Sequence, residues 1–314
     1  MYSKEKQQDI LDNLQTIRDY IRWTISEMTE QNAYFGHGAD SAWDEAVHLV
    51  LSAINMSSDI DTSMVAAKLL YDEKLRIIDY VYKRAHERKP LPYILKKSWF
   101  ASMEFIVDER VLIPRSPIAE LINNDFAPWI SDIDSVKNVL DLCTGSGCIG
   151  IACSNVFVNA NITLVDISDD AIDVANQNIA KFQLNDRVKA VKSDLFTELK
   201  GQKFDVIVSN PPYVDTNDLN AMPAEYQFEP RLALEAGGDG LDLAKTIILD
   251  ADKYMTESAV LIVEVGNSQY ALMEMCPDIP FTWLSFAEGG DGVFLFTYDE
   301  LLQYKDLFIK YFKK

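Results

Sequence analysis

Apolar residues in the first third of the chain return every three or four positions. Ile10, Leu14, Ile17, Ile21 and Ile25 line one helix face. Trp43, Val47, Val50 and Leu51 repeat the spacing after the loop Tyr34-Phe-Gly-His-Gly38, and Leu70, Ile77, Ile78, Val81 and Ala85 predict another helix. Trp23 and Trp43 are expected in the core that these faces bury. Pro90 and Pro92 close the region, because the residue before a proline is pushed away from helical geometry. Residues 1–98 therefore read as a helical domain, with substrate recognition as its expected task. Residues 99–135 read as a β-hairpin and linker: Phe105 and Val107 stand on one side of the turn Asp108-Glu-Arg110, Val111 and Ile113 on the other.

From 136 to 314 the period changes. Short apolar runs, Asn138–Leu142, Ile162–Asp166, Val188–Val191, Phe204–Val208 and Ala259–Glu264, alternate with helical stretches such as Asp169–Phe182 and Leu241–Tyr254. That alternation predicts a mostly parallel sheet with helices on both faces. The end differs: Phe281–Phe286 and Val293–Thr297 read as two strands joined by Gly289-Gly-Asp-Gly292, ahead of a last helix over 299–312. A parallel α/β sheet of seven strands closed by an antiparallel hairpin is the class I methyltransferase fold, not the dinucleotide-binding one.

The strand over 138–142 runs into Asp141-Leu-Cys-Thr-Gly-Ser-Gly147. In open α/β sheets the ligand sits beyond the carboxyl ends of the strands, near the switch point. Gly145 and Gly147 are expected to let the loop backbone approach it. Asp141 is expected to take a ligand ammonium group or its ordered water, Asp166 to take two ribose hydroxyls, and Asp194 with Leu195 to reach the adenine. Gly145-Ser-Gly147-Cys-Ile-Gly150 also matches the weak G-x-G-x-x-G pattern of NAD sites. Asp141 ahead of the glycines and the terminal hairpin weigh against that reading.

A second motif carries the chemistry. The strand over 204–208 is followed by Ser209-Asn-Pro-Pro-Tyr-Val214. Two prolines cannot continue a sheet ladder, so they fix an extended turn that aims Asn210 at the crevice. The Asn210 amide oxygen and the Pro211 carbonyl are two rigid acceptors, Pro212 stiffens the turn, and Tyr213 offers a flat ring. Such a set suits a planar –NH2, whose delocalised lone pair makes it a poor nucleophile until both N–H groups are held by acceptors. Adenine exocyclic amines and glutamine amides both qualify.

Charge separates them. The chain has 314 residues, a formal net charge of -20 and a pI near 4.5. Between Val214 and Asp242 stand seven acids and a single base, Arg231. A segment this acidic repels a phosphate backbone and suits a basic peptide. An adenine methyltransferase would instead show a basic face, with Lys83, Arg84, Arg88, Lys89, Lys96 and Lys97 the candidates. No apolar run approaches a membrane span, and the charged, polar start over 1–12 does not read as a secretory signal. Cys143, Cys148, Cys153 and Cys276 form no C-x-x-C pair and read as thiols of a reducing, cytoplasmic compartment. The scattered His37, His48 and His86 build no metal site.

Val111-Leu-Ile-Pro-Arg-Ser-Pro-Ile-Ala-Glu120, the loop 141–147, Asn210–Tyr213, Glu225-Tyr-Gln-Phe-Glu-Pro230 and Glu264-Val-Gly-Asn-Ser268 resemble the protein-(glutamine-N(5)) methyltransferases along nearly the whole chain, Tyr34–Gly38 included. The closest likeness is to the type acting on a glutamine of large-subunit ribosomal protein L three. The sister type, which acts on translation release factors, carries an acidic stretch after Pro-Arg and a glycine where this chain has Cys143. The resemblance implies S-adenosylmethionine as methyl donor, with Asn210–Tyr213 binding the glutamine. Asp141, Cys143, Thr144, Gly145, Gly147, Asp166, Ile167, Asp194, Leu195 and Asn210 would surround the donor. Arg115, Glu120 and Glu229 would build the substrate wall. Cysteine tolerates positive φ poorly, so Cys143 puts strain on the loop if it keeps the backbone of a glycine.

Overall fold

The computed structural model describes residues 1–57 and 59–312. Two compact units emerge: Met1–Lys97 together with Pro223–Phe228, and Ser98–Met222 together with Glu229–Lys314.

Among the described residues the first unit packs the α-helices α1 (Lys4–Asn13), α2 (Ile17–Glu30), α3 (Ala42–Ala53), α4 (Tyr71–Ala85) and α5 (Leu91–Leu95). The stripe from Ile10 to Ile25 belongs to two helices, not one. Thr16 caps α2 by accepting from Asp19 N–H while the Asp19 carboxylate accepts from Thr16 N–H, and this reciprocal cap stops α1 and restarts the chain. Ile10, Ile17, Ile21, Val50, Leu51, Ile77 and Val81 meet in the core. Trp23 is buried there, its indole N–H on Glu27. Trp43, expected beside it, lies 61% exposed on the first turn of α3.

The returning segment 223–228 supplies Glu225, which has no exposed surface. Its carboxylate accepts from Tyr34 N–H at 2.8 Å, Arg84 Nη1 at 3.1 Å and Arg88 Nε at 2.8 Å. Arg84, itself buried, also pairs with Glu45. Four charged side chains thus satisfy one another where none could be left alone at low cost. Tyr226 packs against the rings of Tyr34 and His37, so the Tyr34–Gly38 loop is shaped by the same segment.

A two-stranded sheet of β1 (Lys97–Phe100) and β2 (Met103–Ile106) comes next along the chain. The hairpin turns at Ala101-Ser102, both at positive φ, and not at Asp108-Glu-Arg110; Val111 and Ile113 are buried but form no strand. After α6 (Ile118–Asn123) comes the main sheet. Its elements follow as β3 (Asn138–Leu142), α7 (Cys148–Val156), β4 (Asn161–Asp166), α8 (Asp169–Lys181), β5 (Val188–Lys192) and β6 (Phe204–Ser209). Then come α9 (Thr216–Ala221), α10 (Asp242–Asp250), β7 (Met255–Glu264), α11 (Gln269–Met275), β8 (Thr282–Trp283), β9 (Val293–Thr297) and α12 (Tyr298–Phe312).

Strand order is β5-β4-β3-β6-β7-β9-β8, parallel from β5 to β7, with β9 antiparallel to both β7 and β8. This is the expected class I methyltransferase architecture of seven strands, although the strand over 281–286 shrinks to two residues. The chain runs outward from β3 to β5 and then returns to place β6 on the other side of β3. That reversal opens a crevice at the carboxyl ends of β3 and β6.

Candidate active site

The loop after β3 is held from behind by Asp141. This side chain is fully buried; Oδ2 accepts from Thr144 Oγ and from Gly150 N–H, while Oδ1 has no hydrogen-bond partner among the described residues. Burial, helped by nearby Asp166, pushes its carboxyl up to about 7 against those two bonds. Asp141 therefore braces the loop and leaves one oxygen unsatisfied beside it, as an ammonium or a bridging water would require. Asn178 of α8 braces the loop from the other side, donating to Ser146 O at 2.9 Å and exchanging bonds with the backbone of Ile106. Nothing in the sequence pattern marks Asn178, which sits on the buried face of an ordinary amphipathic helix.

Asp166 ends β4 with each carboxylate oxygen accepting one backbone N–H, Gly145 at 2.9 Å and Ser168 at 3.0 Å. A carboxylate has about four acceptor sites, so capacity for two hydroxyls remains. Burial raises its pKa, partly offset by those N–H groups. Cys143 sits at φ +57° and Leu195 at φ +44°, so both loops spend a side-chain residue in the left-handed region. Such strain, on the order of 1–2 kcal/mol each, persists where neighbours over-determine the backbone. Burial also raises the Cys143 thiol well above its ordinary range.

A hollow open to solvent lies at the crevice. Cys143, Gly145, Asp166, Ile167, Asp194 and Leu195 line one part; Asn210, Pro212, Pro230, Leu232 and Ala233 line another; Arg110, Val111 and Leu112 add a rim. Chain segments more than sixty positions apart thus meet on one surface. Acidic side chains on apolar walls suit a cationic ligand with an apolar body, which is the chemistry of a sulfonium nucleoside.

Other expected residues lie elsewhere. Thr144 is buried on Asp141, and Gly147, the N-cap of α7, does not face the hollow. A Cβ on Gly147 would touch Leu164 at 3.0 Å and Ile151 at 3.1 Å, so this glycine serves helix-to-strand packing. Pro211 is buried, and Tyr213 turns its ring onto Gly266. Arg115 forms a two-pronged pair with the buried Glu229 at 2.6 and 2.7 Å, and Glu229 also accepts from Ile113 N–H at 3.0 Å. Glu120 does not join them: its carboxylate accepts from Ala287 and Glu288 N–H, and it lines a separate hollow with Trp129 and Trp283.

A residue missed by sequence reasoning is Glu264, 3% exposed at the end of β7. It accepts from Tyr213 Oη at 3.0 Å and Ser116 Oγ at 2.5 Å, and burial pushes it up to about 7. The available signal was a lone acid closing the apolar run Ala259-Val-Leu-Ile-Val263. Among the described residues no His, Cys, Asp and Glu cluster could hold a metal ion, and no helix is long and apolar enough to cross a membrane.

The model of the methyltransferase small domain matches residues 129–241. Over 314 residues, all of both chains, the sequence is 76% identical to the ribosomal protein uL3 glutamine methyltransferase of Francisella tularensis subsp. tularensis. The protein of the same name from Neisseria gonorrhoeae is 44% identical over 290 residues, 92% of this chain and 96% of that one. A solved structure, the hMettl16 catalytic domain in complex with MAT2A 3'UTR hairpin 6, overlaps 76% of this chain and 87% of its own at 19% identity, with a TM-score of 0.49.

Proposed function

We propose, since the chain belongs to the ribosomal protein uL3 glutamine methyltransferase family, that it methylates the side-chain amide nitrogen of a glutamine in uL3. S-adenosylmethionine is the methyl donor. When bound it supplies an electrophilic methyl group on a sulfonium centre. Asp166 and Asp194 would hold its ribose and adenine, Gly145 would let the backbone come close, and the spare Asp141 oxygen would meet its ammonium group directly or through water. Cys143, Ile167 and Leu195 would supply apolar wall.

The protein's own part in the chemistry is positioning. Asn210 Oδ1 and the Pro211 carbonyl accept the two N–H groups of the glutamine amide and aim its lone pair. Positive charge grows on that nitrogen during transfer, so fixed acceptors favour the transition state over the ground state. Arg115 and Glu229, locked together, stiffen the segment that leads into Pro230 and Leu232. The observation that carries this reading is that Asn210 and Pro212 wall the same hollow as Gly145, Asp166 and Asp194.

A basic protein substrate fits better than a nucleic acid. Of the cations that an RNA or DNA reading would need on its basic face, Arg84 is buried on Glu45 and Glu225, Arg88 pairs with Glu225, and Lys83 pairs with Asp79. A uL3 methyltransferase would work in the cytoplasm, where ribosomes assemble.

Incubation of the purified enzyme with labelled methyl donor and ribosomal components from cells lacking it should label one glutamine of uL3, read by mass spectrometry. Asn210→Ala should lower kcat on the order of 10²–10³-fold and leave donor affinity nearly unchanged. Label on an RNA adenine or a release factor, or an Asn210→Ala enzyme at wild-type speed, would overturn the assignment.

A further inference from the structure

Glu264-Val-Gly-Asn-Ser268 is a motif for which the transfer chemistry above has no use. It follows β7 directly, and the last registered pair between β6 and β7 is Ser209 with Val263. One step further along each strand stand Asn210 and Glu264, so the motif begins level with the acceptor asparagine.

Three of its residues meet one tyrosine, Tyr213, two at its side chain and one at its backbone. Glu264 Oε1 accepts from Tyr213 Oη at 3.0 Å. Gly266, at φ +46°, lies so close under the Tyr213 ring that a Cβ there would fall 2.6 Å from Cε2. Ser268 Oγ donates to the Tyr213 carbonyl at 3.0 Å. Hydroxyl, ring and carbonyl of a single tyrosine are thus fixed by residues 264, 266 and 268. The motif is in turn anchored. Val265 N–H donates to Gly292 O at 2.7 Å, a Cβ on Gly292 would strike Gly266 O, and Ser116 Oγ donates to the second Glu264 oxygen.

Tyr213 closes the Asn210-Pro-Pro-Tyr turn, and the prolines make that turn stiff. A rigid turn held at one end transmits the position of that end. Fixing Tyr213 at three atoms therefore fixes the Pro211 carbonyl and the Asn210 side chain two and three residues before it. A strand end made of apolar residues gains nothing by burying a carboxylate unless its partners need it, because a buried acid costs free energy until hydrogen-bonded.

We propose that Glu264, Gly266 and Ser268 form a three-point clamp on Tyr213 that sets the position of the two acceptors for the methyl-accepting amide, with Glu264 the positioning residue at its centre. This rests on the glutamine-methylation reading above. Glu264 does not touch the reacting atoms; it acts through the Tyr213 hydroxyl.

The test is steady-state kinetics on uL3 from enzyme-deficient cells, with S-adenosylmethionine affinity by calorimetry. It covers wild type, Tyr213→Phe, Glu264→Gln, Glu264→Ala, the double variant Tyr213→Phe/Glu264→Ala, and Asn210→Ala. Because misplacement by about 1 Å costs on the order of 10²-fold in rate, Glu264→Ala and Tyr213→Phe should each lower kcat by roughly tenfold or more. KM for uL3 and donor affinity should stay within about threefold, as expected for an interaction that acts in the transition state. Glu264→Gln keeps an acceptor oxygen and should restore most of the rate. The double variant should be no slower than the slower single one, because both changes break the same contact.

A Glu264→Ala kcat within about threefold of wild type, alongside an inactive Asn210→Ala, would refute the clamp and leave the glutamine reading standing. Losses that multiply in the double variant would refute it too. Wild-type turnover by Asn210→Ala would remove the reading on which the clamp rests. If Glu264→Ala does not fold, Tyr213→Phe decides, since it removes only the hydroxyl of a half-buried ring.

Discussion

Gly145 and Gly147 stand two positions apart and both hold positive φ, 56° and 82°. A methyl group added at each meets different surroundings. At Gly145 nothing lies within 4 Å, because the position opens on the hollow; at Gly147 the side chains of Leu164, Ile151 and Ala175 are already in contact. Gly145→Ala should therefore cost about 1 kcal/mol of backbone strain and weaken S-adenosylmethionine binding by filling its space. Gly147→Ala should cost more stability, roughly 2–3 kcal/mol with crowding added to strain, and affect binding less. Denaturant unfolding and calorimetry on the pair check this, and equal effects on both quantities would contradict the assignment. In sequence the two glycines look alike, because a glycine marks where the backbone turns but not which way a Cβ would point. Asp166, Asp194 and Asn210 were legible because strand ends at a switch point must face the crevice. Glu120 and Glu264 were not, since their partners stand 167 and 51 positions away.

Elements were legible where periodicity was unbroken and local chemistry agreed with it. The sheet strands β3 and β9 are mostly apolar and lie where the pattern put them. The apolar stripe across α1 and α2 hid a boundary that Thr16 and Asp19 spell out at capping-box spacing. The first hairpin misled for a different reason. Asp108-Glu-Arg110 has turn-forming chemistry, and the chain does turn there, but the strands pair around Ala101-Ser102, two residues with φ of 45° and 63° and no turn preference of their own. A two-residue turn with both residues at positive φ favours Asn-Gly. Ala101→Asn combined with Ser102→Gly should therefore raise stability by about 1 kcal/mol, seen as a higher denaturation midpoint at unchanged slope. A lower midpoint would mean that the turn geometry is otherwise than described.

Across the whole molecule, stability should depend on pH through carboxyls that burial has shifted. Asp141 and Glu264 are both pushed up to about 7, above the ordinary carboxylate range. Each favours the protonated, folded state, so its contribution is complete below the unfolded pKa near 4–4.5 and fades as pH rises through about 7. Glu264→Gln cannot ionise. Measured against wild type, the variant should gain relative stability between pH 5 and pH 8, and a constant difference over that window would show that Glu264 does not titrate there. The net charge of the chain was plain from composition. The return of residues 223–228 to the helical unit was not, because it depends on Arg84 and Arg88, 141 and 137 positions from Glu225. That return limits how the gene can be recombined. A chimera that transplants residues 1–97 from a diverged homologue must carry the distant hexapeptide as well. Otherwise a foreign residue at position 225 removes one partner of the buried Arg84 pair and of the Arg88 pair, at a cost of about 3–5 kcal/mol for breaking a buried ion pair. Crossover libraries should accordingly yield soluble protein mainly when both segments share one parent.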